Sequence, residues 1–453
     1  MGAPSAAAGT DDSQGYQTGY GTKAYRTYVL NALLLVYILN FLDRQLIGIV
    51  SEPIMNDLQI TDGSFGLLTG IGFALLYSIV GIPLAHFSET RSRVVIMGVC
   101  IALWSAATAG SGLAQEIDLG FLTISGFAFL FIMRVLVGIG EAGCTPPANS
   151  LIADYYPPAR RSTALGYYAM GVTAGTLMAN LVGGQIAEAF DWRTAFYAVG
   201  IAGVGIAILF ALTVKEPPRG YSDPPGSVRP ERASFSAALR ELTSKKSFWL
   251  MAAGATMAAF CGYGISTFQT SFLIRTHGLS IGDATLMINV PVAFASSVGV
   301  ALTGWIAEKS VKRHPNAIAW IPAIGLALSI PFYVLAFWTS NLMIALVGLC
   351  IGGLVKYGYL AAQYTIGQGV VSMRVRATAT AILLFVVNFL GYGFGPLFAG
   401  FLSDFFFGRS SAGAGFAGLK TSDCDAASEA LLQAGDGAAL SDVLAAMATP
   451  LAQ

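Results

Sequence analysis

Long runs of apolar residues alternate with short polar stretches along most of the chain. A helix needs about 20 apolar residues to cross a hydrocarbon core of roughly 30 Å. Runs of that length fall at 27–50, 64–87, 93–114, 123–151, 160–187 and 194–214. After one long polar stretch they resume at 247–274, 280–307, 315–338, 341–370 and 377–402. The pattern predicts eleven membrane-spanning helices, six before the polar stretch and five after it. Gly and Pro recur inside these runs. Membrane helices permit this, because neighbouring helices satisfy the backbone groups that are freed.

The polar punctuation divides the chain. Residues 1–24 are small, polar and partly acidic, the reverse of a signal peptide's basic and then apolar start. They are expected to form a disordered cytoplasmic tail. An N-terminal six-helix half follows at 25–215, then a cytoplasmic linker at 216–246. The linker is Pro-rich at first, and its ASFSAALRELTSKK stretch is patterned as a short amphipathic helix on the membrane surface. The C-terminal half covers 247–405, and an Ala/Gly-rich extracytoplasmic segment covers 406–453. A two-times-six plan asks for a twelfth span, and no stretch after Asp404 is long and apolar enough to supply it.

Lysines and arginines orient the bundle. With the N-terminus inside, eighteen of them fall in inner segments, Arg91, Arg93, Arg160, Arg161, Lys309 and Lys312 among them. The outer loops before residue 402 hold two, Arg193 and Arg275. That excess satisfies the positive-inside rule. Short loops and the absence of an N-x-[ST] sequon point to a bacterial inner (cytoplasmic) membrane.

Composition then removes whole classes of function. Hydrophobic residues make up 55% of the chain and charged ones 11%, with a mean hydropathy of +0.65. Soluble domains carry about 25% charged residues, so much of this surface faces something other than water. A net charge of zero argues against nucleic acid. Five scattered cysteines without a CxxC pair give neither a disulfide framework nor a metal site. No Ser-His-Asp constellation or Walker pattern is present, and GIGEAG lies in an apolar helix with no strand before it, so it is not a dinucleotide loop. No enzyme and no cofactor is expected.

The loop after the second span reads AHFSETRSR (85–93), and the loop after the eighth reads GWIAEKSVK (304–312). Each has a small residue, an acid four later and a base four after that: Ala85, Glu89 and Arg93, then Gly304, Glu308 and Lys312. Duplicated halves with a site at their interface are a recurring transporter construction. This spacing resembles the signature loop of the major facilitator superfamily. The first copy is degenerate, with Ala85 for the usual Gly, Glu89 for Asp and Thr90 for Arg. RVLVGIGEAGCTPPA in span four and DWRTAF at 191–196 resemble two further motifs of the superfamily. NFLDRQLIGIV in span one, followed by GLLTGIGFALLYSIVGIPLA, resembles its spinster branch of sphingolipid and lysolipid transporters. The resemblance implies an all-α polytopic bundle of two halves, with helices one and four lining a central cavity and the inner loops acting as gates. Glu89 with Arg93, and Glu308 with Lys312, are then expected to lock the halves together when the cytoplasmic side closes.

Five charges remain at membrane depth: Asp43, Arg44, Arg134, Glu141 and Lys356. Each costs about 2.5–3.5 kcal/mol or more at the bilayer centre, so such residues are rare and usually functional. Arg134 and Glu141 are seven residues apart. They share a helix face at about 10 Å separation, too far for direct contact. Asp43 and Arg134 both fall in the outer half of the membrane, so a pair between them is reachable. Asp43 and Glu141 are the expected proton carriers, with Arg134 tuning them, since a carboxylate's proton affinity follows its burial and its nearest cation. Lys356, one turn from the repeat-shifted position of Arg134, is expected to face it across the cavity. Arg134, Lys356 and Arg44 suit an anionic group such as phosphate or carboxylate, within walls rich in Phe, Tyr, Met and Leu.

The reading is a proton-coupled, alternating-access transporter of an amphipathic anionic lipid, working as a monomer with the bilayer as its main partner. Two alternatives stay open. One is an organic-anion or drug exporter, or an uptake system for a small metabolite, on the same fold. The other is an uncoupled lipid facilitator, in which Asp43→Asn and Glu141→Gln leave function intact.

Overall fold

The computed structural model describes residues 18–413 apart from 119, 121–122, 224–234, 312, 315 and 373–374. The expected N-terminal tail up to residue 17 and the Ala/Gly-rich segment after 413 lie outside the described residues. Capping chemistry sets where the helices begin. Thr22, Thr61, Ser92, Ser125, Asp191 and Asn341 each precede an apolar run and accept a hydrogen bond from a backbone N–H in its first turn, the usual role of these residue types at a helix start.

The N-terminal half comprises α1 (Lys23–Ile49), α2 (Asp62–Thr90), α3 (Arg93–Ser111), α4 (Gly126–Tyr155), α5 (158–189) and α6 (Trp192–Thr213). The C-terminal half comprises α7 (Lys246–His277), α8 (Ile281–Val311), α9 (Ala317–Trp338), α10 (342–369) and α11 (376–413). Among the described residues, nine helices are long and apolar enough to cross a membrane, short of the eleven predicted. The two that fall out are α5 and α10. A turn at Met170 and a π-helical stretch at Ala179–Gly183 interrupt α5, and a turn at Tyr357 and Gly358 divides α10. A hairpin of two-residue strands, Ile117–Asp118 with Thr123–Ile124, joins α3 to α4.

Two ends of the bundle can be told apart. The linker end carries residue 18 and the 216–245 connection. The distal end carries the α1–α2, α3–α4 and α7–α8 turns. The linker contains a short helix, Phe235–Ser244, one face of which packs on the C-terminal half. Ala238 and Leu242 are fully buried against Phe248, Val375, Ala379 and Leu383 of the C-terminal half. Glu241 ties it down by accepting hydrogen bonds from the Ser372 backbone N–H at 2.7 Å and hydroxyl at 3.0 Å.

The halves meet at the distal end. Arg275 of α7 donates to Glu52 at 2.9 Å and bidentately to Asp62 at 2.9 and 3.1 Å. Asp62 also accepts from the Ser403 hydroxyl, and the Asp404 carboxylate accepts from the backbone N–H of Asp62 and of Gly63. Ser51 bonds Ser271, while Gln185 and Glu188 of α5 bond Gly282. Close backbone approach accompanies this seal: a side chain at Gly70 would place its Cβ 2.2 Å from the Gly393 carbonyl oxygen.

Candidate functional site

Asp43 and Arg44 are consecutive on α1, so they point about 100° apart around the helix. Arg134 and Glu141 lie two turns apart on one face of α4. The two helices therefore meet through two separate ion pairs. Arg44 donates from Nη2 and Nε to Glu141 Oε2, at 2.5 and 3.1 Å. Arg134 Nη1 donates to Asp43 Oδ2 at 3.5 Å, and the Thr108 hydroxyl of α3 donates to Asp43 Oδ1 at 2.7 Å. Asp43, Arg134 and Glu141 are at most 1% exposed, and Arg44 is 9% exposed. The glycines of GIGEAG allow the close packing around them: a Cβ at Gly138 would sit 2.6 Å from the Phe73 carbonyl oxygen, and one at Gly140 2.8 Å from Trp104.

The pair Asp43–Arg134 is the one the sequence made reachable. The assignment of Arg134 as the cation for both carboxylates needs correction. Arg44 is the partner of Glu141, because α1 presents its next residue one hundred degrees further round, toward the lower turn of α4. Arg44 also lies over four rings, Phe73 at 4.8 Å, Tyr77 at 5.0 Å, Phe41 at 5.1 Å and Tyr392 at 5.9 Å. Tyr392 belongs to α11, so the Arg44–Glu141 pair sits where the halves face each other.

Buried ion pairs add little net stability, since desolvation offsets the attraction. Each of these two pairs also leaves polar atoms over: Arg134 Nε and Nη2 in one and Glu141 Oε1 in the other are buried without a hydrogen-bond partner among the described residues. An unsatisfied buried polar group costs about 1–3 kcal/mol, and more when charged.

Lys356 ends the first segment of α10, 6% exposed, with its Nζ 4.5 Å from the Tyr357 ring centre and 5.2 Å from that of Tyr333. It does not meet Arg134. Its nearest neighbour on α7 is Gly262, where a Cβ would lie 3.4 Å from the ammonium. Tyr263, the next residue, packs edge-on against Tyr392 at 4.3 Å and is within electrostatic reach of both Arg44 and Lys356.

The first signature loop has a partner of its own at the linker end. Arg93 is buried under the linker end, where it pairs with Asp154 and with Glu216 at 2.6 Å and donates to the Pro217 carbonyl at 3.1 Å. It staples the linker to the N-terminal half instead of reaching for Glu89, whose carboxylate is exposed 3.8 Å from His86. Lys312 and the Glu308 side chain lie outside the described residues. A surface pocket of about 600 Å³ at the distal end, lined by Asp57, Gln59, Ser64, Glu116 and Arg193, is remote from both ion pairs.

Two helical halves closing around buried charge pairs define a membrane transporter. Residues 33–396 match the model of the Major Facilitator Superfamily, and the chain belongs to that family. A solved bacterial homologue of the human lysosomal transporter Spinster, in an inward-facing and unoccupied conformation, is 40% identical with a TM-score of 0.83, over 95% of this chain and 93% of that one. An MFS-type efflux pump of Mycolicibacterium smegmatis is 31% identical over 89% of each chain. Human protein spinster homolog 1 is 27% identical over 87% of this chain and 76% of its own length. Within the superfamily the chain is a Spinster-type transporter, an integral membrane protein and not an enzyme. Its fold implies secondary transport.

Proposed function

We propose that this chain couples proton movement to transport of an amphipathic anionic lipid, a lysolipid or sphingolipid phosphate, by alternating access across a bacterial inner membrane. The arrangement of Asp43–Arg134 and Arg44–Glu141 carries the reading. Each carboxylate holds an arginine in a dry site, so adding a proton to the carboxylate dismisses a counter-charge. Protonated Glu141 no longer holds Arg44, whose guanidinium already touches Tyr392 of the other half. Loading and unloading that proton changes what binds the halves together at the centre. Arg134, Arg44 and Lys356 supply positive charge for the anion, and the surrounding rings take the apolar portion.

The distal seal supports the second half of the mechanism. With the linker end cytoplasmic, closure through Arg275 corresponds to an inward-open state, as in the bacterial homologue. Reversal requires the distal cluster to open and the linker end to close, where the sequence places the two signature loops that carry Glu89, Arg93, Glu308 and Lys312. The similarity to a bacterial efflux pump favours one alternative cargo, an organic anion or drug. Uptake of labelled lysolipid into proteoliposomes, with and without a pH gradient, tests the proposal on wild type, Asp43→Asn and Glu141→Gln. Gradient-driven uptake lost in both variants is expected. Uptake indifferent to gradient and variant would overturn proton coupling, and gradient-driven uptake of organic anions alone would overturn the lipid cargo.

A further inference from the structure

Of the three cations near the centre, two are already spoken for. Arg44 is neutralised by Glu141, and Arg134 by Asp43. Lys356 is equally buried, yet among the described residues no carboxylate pairs with it. Its Nζ lies 5.2 and 4.5 Å from the ring centres of Tyr333 and Tyr357, whose neutral hydroxyls are its polar partners, and against the buried Gly262. Cation–π contacts of this kind recover about 0.5–2 kcal/mol. The effective cost of burying an ammonium is several kcal/mol, so the rings alone leave Lys356 short of a counter-ion.

We infer that Lys356, framed by Tyr333 and Tyr357, is the standing head-group anchor of the transporter, selecting an anionic head group such as a phosphate monoester or a carboxylate over a neutral one. The inference rests on the amphipathic-anion reading above and divides its labour: the C-terminal half holds the anion, the N-terminal half holds the proton. The rings already cover the protein's own cation, so they do not form a cage for a trimethylammonium head. Gly262, buried on α7, packs directly against the ammonium: a Cβ there would lie 3.4 Å from Nζ. Tyr263 and Tyr392 join the anchor to Arg44 by ring contacts, which places the head group and the Glu141 pair within one another's field.

The test is equilibrium binding to the purified, full-length protein in detergent. The probes are 1-oleoyl-glycerol-3-phosphate and uncharged 1-oleoyl-glycerol, which share one tail. Wild type should prefer the phosphate by at least roughly thirtyfold, the lower range for a desolvated charge pair. Lys356→Gln should lose that preference, with its fold checked separately by an unshifted thermal melt and a monodisperse elution profile. Lys356→Arg should keep most of the preference. A Lys356→Gln protein that still prefers the phosphate would overturn the anchor and leave the anionic-lipid reading standing. A wild-type protein that does not discriminate between the two lipids would overturn both.

Discussion

Replacing Arg275 with alanine should open the distal end of the bundle. The guanidinium makes two hydrogen bonds to Asp62 and one to Glu52, and those carboxylate side chains are 1% and 7% exposed. Removing one partner of a buried ion pair costs about 3–5 kcal/mol, because the other charge is left uncompensated. Arg275 itself is 22% exposed, so the lower end, about 3 kcal/mol, is the appropriate figure. These bonds exist only while the halves are together, so the cost falls on the distal-closed state and not on the fold of either half. About 3 kcal/mol corresponds to a shift of roughly 150-fold. A population of about 99 to 1 in favour of closure would become about 40 to 60. Spin labels at Leu113 and Trp338, both exposed at the distal ends of α3 and α9, would report it in a background with the native cysteines replaced. Pulsed dipolar spectroscopy should resolve one dominant distance in the parent and two comparable ones in Arg275→Ala. An unchanged distance distribution would refute the view that this cluster holds the halves together.

Further consequences can be checked alongside. Gly70→Val would drive a side chain into the Gly393 carbonyl oxygen, 2.2 Å from its Cβ, so the same labels should report a distal end that no longer closes while the thermal melt of the purified protein stays cooperative. Glu241 has its pKa held below the ordinary value of 4.5, chiefly by the Ser372 backbone N–H. A depressed carboxylate stabilises above its unfolded value and loses that contribution as pH falls through the folded one. The linker helix should therefore stay docked at pH 5 and above and gain amide exchange over Phe235–Ser244 at pH below about 4.5. Glu241→Gln should abolish that pH dependence, with amide exchange over Phe235–Ser244 no longer rising between about pH 5 and about pH 4 beyond the intrinsic change.

The sequence and the structure agree where one residue's chemistry decides alone. Apolar run length places helix ends within a few residues of where the caps Thr22, Ser92, Ser125 and Asp191 set them, and charge at membrane depth singles out all four members of the central ion pairs. Partner choice is different, because it depends on the rotation of one helix against another. Arg44 reaches Glu141 and Thr108 reaches Asp43 through a packing angle that no local pattern encodes. The distal cluster had a faint signal in Arg275, one of two outer bases, and in the acids Glu52, Asp57 and Asp62 that follow span one. Its assembly from the α1–α2 connection, α2, α7 and α11 needs the fold. Arg93 shows the converse: the loop pattern marks the residue, but its burial with Asp154 and Glu216 follows from the linker folding back under α4. The breaks in α5 and α10 arise from turns at Met170 and at Tyr357–Gly358, which hydropathy averages over.

Proton movement driven by substrate alone tests the central claim most directly. Proteoliposomes holding a pH-sensitive dye would begin with equal pH on both sides and receive a gradient of lysophosphatidate. Linkage between two ligands is reciprocal, so a carrier that couples them must move protons when the substrate flows down its gradient, with the substrate in a symporter and against it in an antiporter. The account predicts a pH change inside wild-type vesicles, absent in Glu141→Gln and in Asp43→Asn. Lysophosphatidate entry with no pH change in wild type, or an undiminished change in both variants, would contradict it.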